Sequence, residues 1–273
     1  MKKLIKYILI LIIIIYSLAP FLWTAISAFK PSEELFHIPV KYIPSYISFE
    51  HFKGIFEKGS FLTYIFNSLI VGIGATCLTI LIASFISFKL RYVNLEKALR
   101  IQRLLLIFAM IPPTLLVIPF FIIMRDLGLI NNYLSLILSY TALNLPFAVW
   151  LLFTGFKKIP IEIDEAAKID GFSSLGILFK IILPLSISTV IATSILVFIF
   201  CWNEFLFALT MMPDEKKYTV PVGIALLSGT SVYEIPWGEI CAGVTFTTAP
   251  IVIIIAILQR WILEGLTSGA IKG

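Results

Sequence analysis

Few residues in this sequence are of types and spacings that do chemistry. The three cysteines, Cys77, Cys201 and Cys241, lie far apart in apolar surroundings, with no CxxC pair and no histidine nearby. They are expected to be inert core thiols. The two histidines, His37 and His51, share one polar segment at a spacing that fits neither a zinc finger nor HExxH, so no metal site is expected. GxxxxGK[ST] is missing, and no Gly-rich loop joins a strand to a helix, which excludes nucleotide binding in the P-loop manner. Two features remain. Glu204, within WNEFLFAL at 202–209, is the one acidic residue close to the interior of an apolar run, where an ionised carboxylate is costly unless it faces protein or water. Residues 157–186, KKIPIEIDEAAKIDGFSSLGILFKIILPLS, concentrate charge in otherwise apolar sequence.

The elements that position these residues follow from composition. Of 273 residues 59% are hydrophobic and 14% charged, whereas a soluble domain is about a quarter charged. A soluble enzyme is excluded. A bilayer core needs about 20 apolar residues, and six charge-free runs meet that length, at 7–29, 59–88, 104–124, 127–156, 181–203 and 240–259. The reading is an all-α membrane protein of six transmembrane helices. The first run is longer than a signal-peptide core and is read as a retained helix. With the N-terminus cytoplasmic, the inner segments hold 14 Lys and Arg and the outer ones seven, as the positive-inside bias requires. The net charge of +5 is thus largely a topology signal, and nucleic acid is not an expected partner. The chain divides into a first helix and external loop at 1–58, a core of five helices at 59–262 with a cytoplasmic loop at 157–185, and a tail at 263–273.

The 157–185 loop reads as two short helices. Pro160 suits the first helical position, and Glu162, Asp164 and Glu165 load the first turns, where the dipole favours anions. Asp164 faces Lys168 at i,i+4. Gly171 fits the left-handed position that ends a helix, Ser173 or Ser174 caps the next one, and Pro184 interrupts it. Such a capped knob suits transmission of a push from a cytoplasmic partner; an amphipathic helix lying on the membrane fits the spacing equally well.

Glu165, Ala166, Ala167, Asp170 and Gly171, with Phe179 and Pro184 downstream, resemble the EAA loop of permease subunits in binding-protein-dependent ABC importers. Asn67 and Ser68, the stretch 113–119, LGLINN at 127–132, LPFAVWLL at 145–152, WNEFLFAL and the closing QRWILEGLTSGAIKG are similar to the carbohydrate, maltose-type branch. The resemblance implies a type I ABC importer permease fold and transport of a sugar. It also implies a second permease in a heterodimer, an ABC ATPase dimer and an extracytoplasmic sugar-binding protein as partners. The seven loop residues would form the ATPase-docking surface. ATP and Mg would be held by the ATPase, with no cofactor on this chain and no bond chemistry performed by it.

Trp202, Asn203, Glu204 and Phe205 are candidates to line the translocation path, since aromatic faces and hydrogen-bonding groups suit sugars; helix packing is the other reading. Tyr218, Tyr233 and Trp237 are candidate contacts for the binding protein, or aromatic anchors at the interface. The tail either braces the ATPase or frays. Pro112, Pro113, Pro119 and Pro146 are expected to kink or shape the third and fourth spans. The absence of a basic cluster favours a neutral sugar, of oligosaccharide class. A standalone secondary transporter or channel is the alternative function, but it would carry several intramembrane charges or two similar halves, and neither is present. A membrane-embedded enzyme would need a metal cluster or a Ser/His site at membrane depth, which is also missing.

Overall fold

The computed structural model describes residues 2–57, 60–227 and 235–267, with side chains from residue 5 to residue 259 among them. The helices in chain order are α1 (Lys2–Ala28), α2 (Ser32–Leu35), α3 (Glu50–Glu57), α4 (Phe61–Leu90), α5 (Leu95–Ala109), α6 (Pro113–Asp126) and α7 (Tyr133–Phe156). Then come α8 (Ile161–Ile169), α9 (Ser174–Ile177), α10 (Leu183–Leu185), α11 (Ile187–Asn203), α12 (Leu206–Met211), α13 (Val220–Ala225) and α14 (Trp237–Thr267). The described residues contain no strand. This is the all-helical class the sequence predicts.

The core is built on α4 and α7, which pack together along most of their lengths, with α11 laid against both. Leu136, Tyr140, Val149, Leu152 and Phe156 of α7 are fully buried against Val71, Ala75 and Ala83 of α4. Small residues set the approach: a β-carbon at Gly72 would meet the Phe198 ring of α11 at 2.9 Å, and one at Gly155 would meet Thr189 at 2.6 Å. Some polar groups inside the bundle bond across it, although the buried Thr79 and Ser84 hydroxyls of α4 have no partner there. The Ser87 hydroxyl donates to the Val149 carbonyl at 3.1 Å. In contrast α1 exposes apolar side chains from Ile5 to Leu22 and leans on α14, the pattern of a helix whose surroundings are hydrocarbon.

Four helices are long and apolar enough to cross a membrane, and two bent helix pairs are so when taken together, which makes six spans if each pair is one span. The run at 104–124, where the prolines are expected to kink or shape the span, is sharply broken: α5 and α6 meet at 89°. Consecutive Pro112 and Pro113 withdraw two backbone donors there, so α5 closes at Met110 and α6 restarts with Leu115 donating to Pro112. Pro119 and Pro146 stay inside continuous helices. The fifth span, expected over 181–203, is likewise broken, with 85° between the stretch 174–185 and α11. A π-helical turn over Leu178–Ile182 precedes Pro184, and the Ser186 hydroxyl donates to the Ile182 carbonyl at 2.6 Å. Both are recognised causes of sharp bends. Helix α14 runs on past residue 262 to Thr267, and 268–273 lie outside the described residues. Cys77 is exposed on α4, unlike the buried Cys201 and Cys241, so it is not a core thiol: the outer face of α4 tolerates a small apolar group.

Candidate functional site

Two sites sit at opposite ends of α4, whose 30 residues extend about 45 Å. At the Arg91 end lies the α8–α9 turn. Pro160 stands at the N-cap, one position earlier than expected, with Glu162 and Asp164 in the first turn. The helix closes in a Schellman motif: Phe172 N–H donates to Ala167 O at 3.0 Å and Gly171 N–H to Lys168 O at 3.1 Å. Gly171 takes φ +85°, the left-handed conformation its position demands. Ser173 caps α9, its hydroxyl accepting from Gly176 N–H at 3.2 Å.

Asp164 does not pair with Lys168. It is fully buried and receives Arg91, with Nη2 at 3.0 Å from both carboxylate oxygens and Nε at 3.2 Å from Oδ2. Arg91 Nη1 donates to the carbonyls of Phe156 and Ile159, where α7 ends. The Tyr92 hydroxyl donates to Asp164 Oδ2 at 2.8 Å. Burial, and then this hydrogen bond, push the Tyr92 phenol well above its usual range, so it remains a donor. Lys168 instead lays its ammonium 4.5 Å from the Tyr92 ring centroid. Arg91 and Tyr92 were missed in the sequence; the available signal was a basic pair, Lys89 and Arg91, at the close of a long charge-free run.

What this anchoring leaves outward is the turn itself. Glu165, Ala166, Asp170 and Gly171 are exposed, as are Phe172 and Leu175, and Ile169 is 87% exposed. Ala167 is buried beneath them. Phe179 lies in the π-turn, half-exposed, edge-to-face with Phe85 at 5.9 Å, and Pro184 is exposed at the bend. An apolar knob flanked by two carboxylates, held by a buried ion pair, has the form of a docking element rather than of a catalytic site.

At the Asn67 end, Glu204 closes α11 and caps α12. Its carboxylate accepts from Phe207 N–H at 2.9 Å, Ala208 N–H at 3.2 Å and the buried Tyr140 hydroxyl at 2.6 Å. Three donors account for a carboxylate at this depth without a substrate. Trp202 is buried against Phe198 at 5.7 Å, Asn203 is exposed with its amide on Ile199 O, and Phe205 is half-buried. Asn67 and Ser68 clamp the following loop: the Asn67 amide donates to Lys216 O and Tyr218 O, both at 2.9 Å, and Val220 N–H donates to Ser68 Oγ at 2.8 Å. Tyr64 and Ser60 donate to Glu215. Tyr218 is half-buried against Tyr64, Trp237 is half-exposed at the start of α14, and Tyr233 lies outside the described residues.

The profile of the family described as "Binding-protein-dependent transport system inner membrane component" matches residues 80–267. The trehalose transport system permease protein SugB of Mycobacterium tuberculosis is 37% identical over 259 residues, covering 94% of this chain and 93% of that one. The trehalose/maltose transport system permease protein MalG of Thermococcus litoralis is 35% identical, covering 100% and 98%. The sulfoquinovosyl glycerol permease SmoH of Agrobacterium fabrum is 34% identical, covering 99% and 94%. In structure, a chain of a bacterial ABC transporter that imports the acidic polysaccharide alginate superposes with a TM-score of 0.77 at 19% identity, covering 94% and 95%, which is a likeness of fold. The exposed, doubly capped turn, the all-helical frame with four to six candidate spans and these matches converge: the chain belongs to the binding-protein-dependent transport system inner membrane component family, the permease subunits of ABC importers.

Proposed function

We propose that this chain forms, with a second and related permease, the path for a neutral sugar of oligosaccharide class. An extracytoplasmic binding protein delivers the sugar, and a separate pair of ATPase subunits drives its passage. The chain holds no cofactor in this reading; ATP and Mg belong to the ATPase. Both termini and α8 face the cytoplasm, supported by the charge bias of 14 Lys and Arg against seven. The sugar class draws on relatives named for trehalose and for trehalose/maltose. The Asn67 end then faces outward, and in this reading Tyr218 and Trp237, with Tyr233 by sequence, contact the binding protein.

The observation that carries the reading is the α8–α9 turn, exposed at Glu165, Ile169, Asp170 and Gly171 yet fixed from behind by Arg91. In this account Ile169 and its neighbours enter a groove on the ATPase while Glu165 and Asp170 supply polar contacts. Closure of the ATPase dimer draws the turns together and the bundle opens outward as rigid bodies. Gly171→Pro tests it, since proline requires φ near −65° where the chain has +85°, and it removes the donor to Lys168. Purified from its native membrane, the wild type is expected to bring an ABC ATPase and a second permease, and the variant to lose the ATPase. A chain that purifies alone and moves solute without ATP overturns the proposal.

A further inference from the structure

A buried ion pair is weak evidence for stability, because desolvation offsets its attraction and apolar residues of similar size often serve as well. The Arg91–Asp164 pair, with side chains 3% and 0% exposed, therefore calls for another reason. Its geometry supplies one. Arg91 ends α4, its guanidinium caps the last carbonyls of α7 at Phe156 and Ile159, and its fork holds the first turn of α8. Tyr92 adds a second tie to Asp164 and a face for Lys168. One side chain thus joins three helices, two of which share the bundle core. The other exit from the turn is built differently: the chain runs from α9 to α11 through the π-turn, Pro184 and the 85° corner at Ser186.

We propose that Arg91 and Asp164 are positioning residues that make α8, α4 and α7 one rigid body, so that force applied to the exposed turn is delivered to α4 and α7. Helix α11 follows through the Ser186 corner. This rests on the permease reading above, and its test separates the two. Cys77, the exposed thiol, is replaced by Ala, and spin labels are placed at the exposed positions Lys89 on α4, Glu162 on α8 and Ile187 on α11. Distances are read in the purified complex, nucleotide-free and after trapping with ATP and vanadate. In the wild type the 89–162 distance is expected to stay fixed on trapping while the 162–187 distance changes. In Asp164→Asn the ATPase still copurifies, and the 89–162 distance shifts by more than about 2 Å, the scale of helix movements in switching transitions. If Asp164→Asn does not assemble, Arg91→Lys, which keeps the charge but loses the fork, is read in the same way. A wild-type 89–162 distance that changes on trapping overturns the proposal, as does a variant in which it stays fixed. A wild type that brings no ATPase overturns the permease reading instead.

Discussion

Replacing Glu204 by Gln keeps the side chain's size and removes its charge, which separates the two roles open to it. The carboxylate accepts from Tyr140, Phe207 and Ala208, and an amide can offer only one oxygen to these three donors. Glu204→Gln is expected to lower stability by about 1–2 kcal/mol, the size of a lost helix cap and buried hydrogen bond. The check is thermal unfolding in detergent, with transport falling only as far as protein abundance does. Unchanged stability with transport abolished would return the charge to the translocation path. The same residue scale shows what a sequence can disclose. Gly171 and a cap at Ser173 or Ser174, which the structure places at Ser173, were legible because a cap is a local arrangement, complete within a few residues. The partner of Asp164 was not: Arg91 lies 73 positions away, and the local rule pointed to Lys168. Burial of the Asp164 side chain against the ends of α4 and α7 decided the contest, since a carboxylate taken out of water needs a fork of donors, and a lysine on an exposed face does not provide one.

Among the elements, the apolar runs disclosed the spans but not their bends. A charge-free run states that a segment can lie in hydrocarbon; it is silent on direction. The corner between α5 and α6 depends on where the chain resumes after Pro112 and Pro113, which tertiary packing fixes, and the π-turn before Ser186 has no marker in hydropathy. The segment between α1 and α4 gives a test at this scale. Lys30 is buried with its ammonium on Lys41 O at 2.6 Å and 4.4 Å from the Trp23 ring, and His51 bonds Lys30 O at 2.9 Å. Glu34 closes the network, accepting from Lys41 Nζ at 2.7 Å and from Ser45 N–H at 3.0 Å. The hydrogen bond from Lys41, then those from Ser45, lower its carboxyl from an ordinary 4.5 to about 2. A lowered carboxylate stabilises the fold above its ordinary value, and that contribution is lost as pH falls through the folded one. Protection of residues 30–57 from limited proteolysis should therefore hold from pH 7 to pH 5, decline below about 4.5 and lose this contribution near 2. Glu34→Gln should be less protected at pH 7 and flatter below it. A variant with the wild-type profile would show that the network does not order the segment.

For the whole molecule, the two candidate sites lie at opposite ends of a closely packed pair of helices. The exposed turn lies at one end, the clamped 213–220 loop at the other, and α4 and α7 run between them. Membrane character and the motif of the turn were legible in composition and in residues 165–171. The joining of the two ends was not, because Asn67 with Lys216 and Arg91 with Asp164 are contacts across the fold. The central claim is that this chain moves solute only when a separate ATPase acts on its α8–α9 turn. Reconstitution into proteoliposomes with the copurified permease, ATPase and binding protein, followed by uptake of the sugar that the binding protein carries, tests this most directly. The account predicts uptake that requires both ATP and the binding protein and that Gly171→Pro abolishes. Uptake by this chain alone, without ATP, would contradict it.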